Sequence, residues 1–341
     1  MKADLQNTKN RNLPEWKKMQ KTRDYLFDNY KVLLIFLVVV GHFTGPSVSK
    51  NEFLLVLKWI IVSFHMPAFI FISGYFAKRD LPLKTIIQKL AVPYLAFEMI
   101  YYLLYTFLMH KPTELCLHKP KFTLWYLLAL FMWRVVTPYV KKIPYHMILS
   151  ICAGILIGFS GMQDNFLTIP RALVFYPFYL AGTSFERETL TRWRTSKKVK
   201  WTAAVCIMLI AVFLTWIGLE RIAPMQIFYG RYSYAAMKQG MLEGVLWRIV
   251  MYLIGFVMTF SVMILMTERE LPVSYIGTRT MAIYLFHGLA YSYLEYCTGL
   301  LENLNTFCET IILLAACAGL TLLFSLKPFT NFTNLFLRLG G

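Results

Sequence analysis

Long apolar runs alternate with short polar or basic stretches from residue 30 to residue 326. Many of these runs approach the roughly 20 apolar residues that cross a bilayer about 30 Å thick. The polar stretches between them are too short to fold alone. The pattern therefore predicts an all-α, polytopic integral membrane protein, with about ten transmembrane helices around a central polar chamber. The predicted spans are 30–45, 53–76, 86–109, 122–140, 145–160, 170–185, 200–218, 244–266, 279–296 and 307–326.

Polar sequence flanks the predicted membrane domain at both ends. Residues 1–29 are predicted to form a basic cytoplasmic tail. They lack the apolar core of a cleavable signal peptide. The transmembrane domain is predicted at 30–328, and a short cytoplasmic tail at 329–341. Lys and Arg collect in the loops that this topology places inside, although the 110–121 loop carries three lysines outside. We expect a multi-pass protein of the cell membrane with both termini in the cytoplasm.

Composition supports the membrane class and narrows the partners. The chain is 57% hydrophobic and 16% charged, which is unusual for a soluble domain. Its net charge of +17 would also suit nucleic acid, but the basic residues adjoin apolar spans and are not interleaved with exposed aromatics. Membrane lipids are therefore predicted partners and nucleic acid is not. The six cysteines include no CxxC pair, so neither a disulfide framework nor a metal site is predicted.

The stretch KVLLIFLVVVGH, residues 31–42, sets a lysine and a histidine on one helix face. At a rise of about 1.5 Å per residue, Lys31 and His42 lie roughly 16 Å apart and nearly in line. An ionisable group inside an apolar span is a functional candidate, because burying it unpaired in lipid is costly. A helix-end histidine bonded to a carbonyl is the simpler alternative for His42.

Three further titratable residues fall at a similar predicted depth. His65, Glu98 and His287 lie near mid-membrane in spans two, three and nine. Four such groups at one depth indicate a shared polar chamber. Each histidine can equally be a hydrogen-bonded structural residue, and Glu98 can neutralise a histidine or Arg171.

A second basic cluster precedes the third span, in residues 77–94. We expect Arg79, Lys84 and Lys89 to surround one cytoplasmic opening together with Lys31. Cations at such an opening can hold a polyphosphate, such as the pyrophosphate and 3′-phosphate of coenzyme A. A positive-inside loop without a ligand fits the same charges.

The longest outer segment, residues 219–243, is rich in aromatic side chains, Tyr232 among them. Aromatic faces with scattered hydrogen-bonding groups suit a sugar, although an interfacial belt has the same composition. Arg171, at the start of the sixth span, can contact substrate or snorkel towards the headgroups.

Several segments in order along the chain match the pattern of a known family. They are RDYLFDNYKVLLIFLVVVGH (23–42), SFHMPAFIFISGYFAKR (63–79), KLAVPYL (89–95), LWYLLAL (124–130), YPFYLAG (176–182) and IGTRTMAIYLFHG (276–288). The chain thereby resembles the acyltransferase-3 family of integral membrane O-acyltransferases, and in particular its fucose 4-O-acetylase-like branch. Lys31 and His42 match the family's basic residue, ten intervening residues and histidine. The family's Arg-x-x-Arg element is not reproduced, because Ile86 stands three residues before Lys89.

The resemblance implies an O-acyltransferase that moves an acyl group from cytoplasmic acyl-CoA, commonly acetyl-CoA, to a hydroxyl of a cell-surface or exported glycan or a lipid-linked sugar. The residues and the resemblance together predict the role of each candidate. His42 is expected to be the general base, and Glu98 to orient an imidazole or balance its charge. Donor phosphates are expected to bind Lys31, Arg79, Lys84 and Lys89, and the substrate is expected to bind His65, His287, Arg171 and Tyr232. Direct transfer and a covalent acyl-histidine relay both fit.

Two other function classes fit parts of the pattern. Mid-membrane His and Glu residues also serve as proton relays, so the chain can be a proton-coupled transporter or flippase of a glycan precursor. The third hypothesis is a non-catalytic protein that takes part in glycan assembly. The sequence is also compatible with an oligomer. A transporter leaves the in-line Lys31 and His42 and the basic opening unexplained.

Overall fold

The computed structural model describes residues 23–162 and 166–338, and these residues form helices and connecting segments without a β-strand. The prediction of an all-α polytopic membrane protein is confirmed. The principal helices are α1 (Tyr25–Phe43), α2 (Glu52–Tyr75), α3 (Leu83–Leu108), α4 (Trp125–Val140), α5 (His146–Leu156), α6 (Ile169–Ser184), α7 (Arg187–Thr195), α8 (Lys197–Glu220), α9 (Met241–Leu265), α10 (Thr280–Cys297), α11 (Phe307–Phe324) and α12 (Lys327–Arg338).

Each of the ten predicted spans contains a helix, but the helices differ in their capacity to cross a membrane. Within the described residues, seven are long and apolar enough: α1, α2, α3, α4 with its preceding turn, α8, α9 and α11. The helices α5 and α6 are short, at 11 and 16 residues. The count of ten crossings therefore stays a prediction.

Helix α1 begins before the predicted boundary of its span. Asp24 caps the helix by accepting a hydrogen bond from the backbone N–H of Leu26 at 3.2 Å, so the helix starts at Tyr25 and not near residue 30. Most of the predicted tail 1–29 lies outside the described residues. In the predicted tail 329–341, α12 continues to Arg338 and the final residues lie outside the described part.

A short polar cluster fixes the start of α1 against the segment between α9 and α10. The buried Asp28 carboxylate lies 2.6 Å from Arg23 Nε and 2.9 Å from Lys31 Nζ. The Asn29 side-chain amide donates to the carbonyls of Thr267 and Arg269 at 3.0 and 2.9 Å. These bonds set the axial position of α1 and hold the Lys31 ammonium in place.

Helix α2 lies at the centre of the bundle, in contact with α1, α6, α8 and α9. Its contact with α6 brings the two backbones together at Gly74 and Gly182. A Cβ atom on Gly74 would overlap the carbonyl oxygen of Tyr179, and one on Gly182 would overlap that of Phe71. Small residues permit this close approach of helices in a membrane.

We expect Gly182→Ala to destabilise the protein, because the added methyl group must separate α2 from α6. The cost of such overpacking is about 1–3 kcal/mol, measurable as a lower Tm in detergent. Gly319→Ala on α11 is the matched control, since a Cβ there meets no atom within 4 Å. Equal Tm values for the two variants would contradict the described α2–α6 contact.

Candidate functional site

His42 lies in the last turn of α1, between aromatic rings and a second histidine. Its ring centre is 4.8 Å from that of Phe122, 5.4 Å from that of His287 and 6.1 Å from that of Tyr291. The other side of His42 faces a cavity of about 250 Å³, which we name the His42 cavity. Its walls are Gly41, His42, Lys58, Val62, His65, Met66, Trp125, Arg171, Phe175, Phe228, Tyr229, Arg231 and Tyr232.

The hydrogen bonds of His65 and His287 indicate their tautomers. His65 Nδ1 lies 2.7 Å from the Ile61 carbonyl oxygen, and His287 Nδ1 lies 3.0 Å from that of Ile283. Because a carbonyl oxygen only accepts, each Nδ1 carries a proton. In the neutral form of either imidazole, Nε2 is therefore the hydrogen-bond acceptor.

Aromatic side chains supply much of the remaining wall of the His42 cavity. The Arg171 guanidinium lies over the Trp125 ring at 4.8 Å, and that of Arg231 over the Tyr232 ring at 4.6 Å. Burial raises the pKa of the Tyr229 phenol to about 12, so its hydroxyl stays neutral. The cavity therefore offers apolar faces with hydrogen-bonding groups between them.

A second cavity, also of about 250 Å³, lies beside Lys31 near the start of α1, and we name it the Lys31 cavity. It is bounded by Lys31, Phe69, Ile72, Ser73, Phe76, Leu81, Ile86, Lys89, Leu90, Leu130, Arg134 and Thr280. A neighbouring cavity of about 180 Å³ shares Leu81 and Arg134 with it and adds Lys78 and Lys141 to the lining. This end of the bundle thus carries several cations, together with Asp80, around two adjacent cavities.

A narrow space of about 20 Å³, which we name the neck, lies between the two large cavities. It shares His42, Met66 and Trp125 with the His42 cavity and Phe69 with the Lys31 cavity. Its other lining residues are Ile35, Val38, Thr123, Tyr126 and Tyr284. The three spaces therefore follow one another along the inner faces of α1 and α2, from Lys31 to His42.

Comparison with known proteins identifies the family. A family model described as an acyltransferase domain (Acyl_transf_3) matches residues 24–326. The chain belongs to this acyltransferase family. Neither the curated proteins nor the solved structures include a significant match to the chain.

The structure of this acyltransferase brings most of the predicted substrate-side residues together. His65, Arg171 and Tyr232 line the same cavity as His42, and His287 contacts the His42 ring from the other side. Of the four residues predicted at one depth, the three histidines are thus brought together, whereas Glu98 lines none of the cavities described above.

The predicted donor-side residues separate into two groups. Lys31 and Lys89 line the Lys31 cavity, whereas Arg79 and Lys84 are exposed and line none of the cavities described above. The segment Asp80–Pro82 is not helical, and α3 begins directly after it. Only the face of α3 that carries Ile86, Lys89 and Leu90 lines the cavity. The expectation that all four cations surround one opening is corrected for Arg79 and Lys84.

Glu98 has a partner that the sequence analysis did not predict. Its fully buried carboxylate accepts a hydrogen bond from the Lys121 backbone N–H at 2.7 Å and lies 3.4 Å from Lys121 Nζ. Lys121 Nζ also donates to the Glu114 carbonyl at 2.9 Å. Glu98 therefore holds the end of the 110–121 loop, next to Phe122, and the structure pairs it with a lysine where an imidazole was expected.

Sequence reasoning missed one cation of the site, Lys58, which lines the His42 cavity. Arg134, which by its position in the sequence can contact substrate or snorkel, lines the Lys31 cavity. A signal for Lys58 was present, because it precedes His65 by seven residues and so lies on the same face of α2. Arg134 donates to the carbonyls of Ala77 and Arg79, both at 3.0 Å, which anchors its guanidinium beside the cavity.

We expect Glu98→Gln to lower the stability of the acyltransferase, because it leaves the buried Lys121 ammonium without its counter-ion. Breaking one side of a buried pair costs about 3–5 kcal/mol, whereas removing both charges costs much less. The Tm should therefore fall in Glu98→Gln and recover in the double variant Glu98→Gln/Lys121→Met. Glu220→Gln, at the exposed end of α8, is the control.

The same variants separate a structural role for Glu98 from a catalytic one. A Glu98→Gln protein with unchanged Tm and lost acyl transfer would contradict the structural assignment and restore Glu98 to the chemistry.

Proposed function

We propose that this acyltransferase is an O-acetyltransferase of the cell membrane that uses cytoplasmic acetyl-CoA and modifies a hydroxyl of a cell-surface or exported glycan, or of a lipid-linked sugar. The observation that carries the proposal is the row of cavities between Lys31 and His42. The resemblance to the fucose 4-O-acetylase-like branch supports the glycan acceptor. We place both termini in the cytoplasm, so that the Lys31 cavity faces the donor and the His42 cavity the acceptor.

The Lys31 cavity suits the phosphate end of the donor. Coenzyme A carries a pyrophosphate and a 3′-phosphate, and Lys31, Lys89 and Arg134 offer three cations to them. Arg134 supplies the planar fork that binds phosphate in a bidentate manner. Lys31 is held by Asp28 and so meets the donor without a further loss of side-chain freedom. Lys141 and Lys78 line the neighbouring cavity together with Asp80, and Lys78 also pairs with Glu186 at 3.1 Å.

The neck suits the linear arm of the donor. Side chains such as Ile35, Val38 and Phe69 give it a largely apolar wall. An extended arm can enter from the Lys31 cavity and place the thioester carbonyl beside His42, about 16 Å along α1. The neck must widen for this step, since its present volume is about 20 Å³.

His42 is the proposed general base. Its imidazole takes the proton of the acceptor hydroxyl as the oxygen attacks the thioester carbonyl, and the resulting tetrahedral intermediate expels the CoA thiolate. The imidazolium then returns its proton to the thiolate, so charge and protons balance. The His287 ring, 5.4 Å away, contributes an accepting Nε2 that can orient or stabilise protonated His42. In a covalent relay, an imidazole nitrogen carries the acetyl group between two such steps.

The transporter alternative receives less support than acyl transfer. The family match is to an acyltransferase domain. A flippase would also have to pass a whole glycan through the bundle, whereas the neck joining the two large cavities holds about 20 Å³. An acetyl group carried on a linear arm needs far less space.

We expect Lys89→Met to weaken acetyl-CoA binding about 10–100-fold, because it removes one charge-assisted phosphate contact worth roughly 1.5–3 kcal/mol. Calorimetric titration of the purified protein measures the change. Lys84→Met is the matched control, since Lys84 is exposed on the same segment and lies outside the Lys31 cavity. If the two variants bind acetyl-CoA equally well, the donor site is misplaced.

We expect His42→Gln to reduce acetyl transfer about 10²–10⁴-fold, because the proposed general base is lost, while acetyl-CoA binding is retained. The measurement is incorporation of radiolabelled acetyl groups into alkali-labile esters of the cell-envelope glycan fraction. His110→Gln, at the exposed first position of the 110–121 loop, should transfer at the wild-type rate. Retained transfer in His42→Gln would refute the assignment of His42.

A further inference from the structure

The His42 cavity carries more positive charge than acyl transfer to a neutral sugar requires. Lys58, Arg171 and Arg231 line it, whereas its lining includes no Asp or Glu among the described residues. A cation in a partly buried, low-dielectric site is costly unless a counter-charge meets it. Lys58 therefore favours an anion in the cavity, and two guanidinium groups offer N–H donors beside it.

Lys58 has no carboxylate beside it among the described residues of the cavity lining. It projects from α2, where its ammonium lies close to Gly45, just beyond the end of α1. Within the described chain, no hydrogen bond or ion pair within 4 Å joins its Nζ atom to another residue. Glu295 of α10 is the carboxylate that acts on it electrostatically, and Glu295 does not line the cavity.

The two guanidinium groups add directional donors to this charge. Arg171 stacks on Trp125 and Arg231 on Tyr232, so each planar group has its orientation set by a ring. A guanidinium has five N–H donors, which is enough to serve one partner and still bind a carboxylate or phosphate in a bidentate manner. Their aromatic partners remain available to the apolar face of a sugar.

Building on the proposed acetyl transfer, we infer that the acceptor is an anionic glycan, whose carboxylate or phosphate is bound by Lys58, Arg171 and Arg231 while a hydroxyl of the same sugar unit reaches His42. The volume of about 250 Å³ is below the 300–1,000 Å³ typical of sites for drug-sized ligands. One charged sugar unit suits this space better than a longer oligosaccharide. An anion held there also stabilises the imidazolium that forms when His42 takes the hydroxyl proton.

Matched probe pairs that differ in charge test this inference by binding, without the need for turnover. The carboxylate pair is trigalacturonic acid and its trimethyl ester, and the phosphate pair is maltotriose 6-phosphate and maltotriose. Each is titrated calorimetrically into the purified full-length acyltransferase in a non-ionic detergent at low salt. We expect the charged member of at least one pair to bind tenfold or more tightly than its neutral partner, and the pair that responds identifies the anion.

Variants then locate the preference. Lys58→Met and Arg231→Met should each reduce it at least fivefold, and Lys58→Arg should retain it. Arg221→Asn is the matched control, because Arg221 is exposed on the same outer segment, lies outside the cavity and has φ of 51°, which asparagine tolerates. The inference is overturned if neither charged probe binds more tightly than its neutral partner, or if the preference survives in Lys58→Met and Arg231→Met.

Acetyl-CoA binding, measured on the same preparations, separates this inference from the proposed function. Variants of the His42 cavity should bind acetyl-CoA as the wild type does, which also shows that they fold. If the wild type binds the anionic probes through Lys58 but does not bind acetyl-CoA, the donor proposal fails and the anion site stands.

Discussion

The carboxylate of Asp28 carries the interaction on which the geometry of the site depends. It forms ion pairs with Arg23 and Lys31 at the start of α1, and its neighbour Asn29 ties the same turn to the segment between α9 and α10. A continuous helix transmits this anchoring, because the position of Lys31 fixes that of His42 at the other end. Without the anchor, an apolar helix of low amphipathicity has little to specify its axial position among its neighbours.

Carboxylates and cations have different tasks in this protein. Asp24, Asp28, Glu98 and Glu268 each pair with a lysine or arginine outside the His42 cavity, and each pair joins separate segments or fixes a helix end. Cations line all three of the larger cavities, and Asp80 is the carboxylate among their described lining residues. A positive-inside bias explains an excess of basic charge in loops, but it does not explain why Lys58 faces a cavity within the bundle. The proposed binding of an anion gives that charge a physical reason.

The sequence was sufficient for features set by local pattern. Apolar runs located every principal transmembrane helix, and the helical rise placed His42 and His65 at one depth, where they share a cavity. It was insufficient where the chain turns back on itself. The pairing of Glu98 with Lys121 depends on the path of the 110–121 loop, and the outward direction of Lys84 depends on where α3 begins after Pro82. The spacing of apolar residues along the sequence predicts neither of these two features, because both arise from the packing of distant segments.

The narrow neck would let the proposed reaction use substrates from both sides of the membrane while the helix bundle stays closed to other solutes. A wide passage lined by cations would conduct anions, which a membrane protein of this kind has to prevent. Aliphatic and aromatic side chains line the narrow neck, and in the proposed transfer a linear acyl carrier displaces them while it is bound. In that mechanism the passage admits a small acyl group on a flexible arm, yet keeps the donor phosphates at Lys31 and the acceptor at His42 on separate sides. The rise of about 16 Å from Lys31 to His42 along an apolar helix face then allows one histidine to meet both proposed substrates.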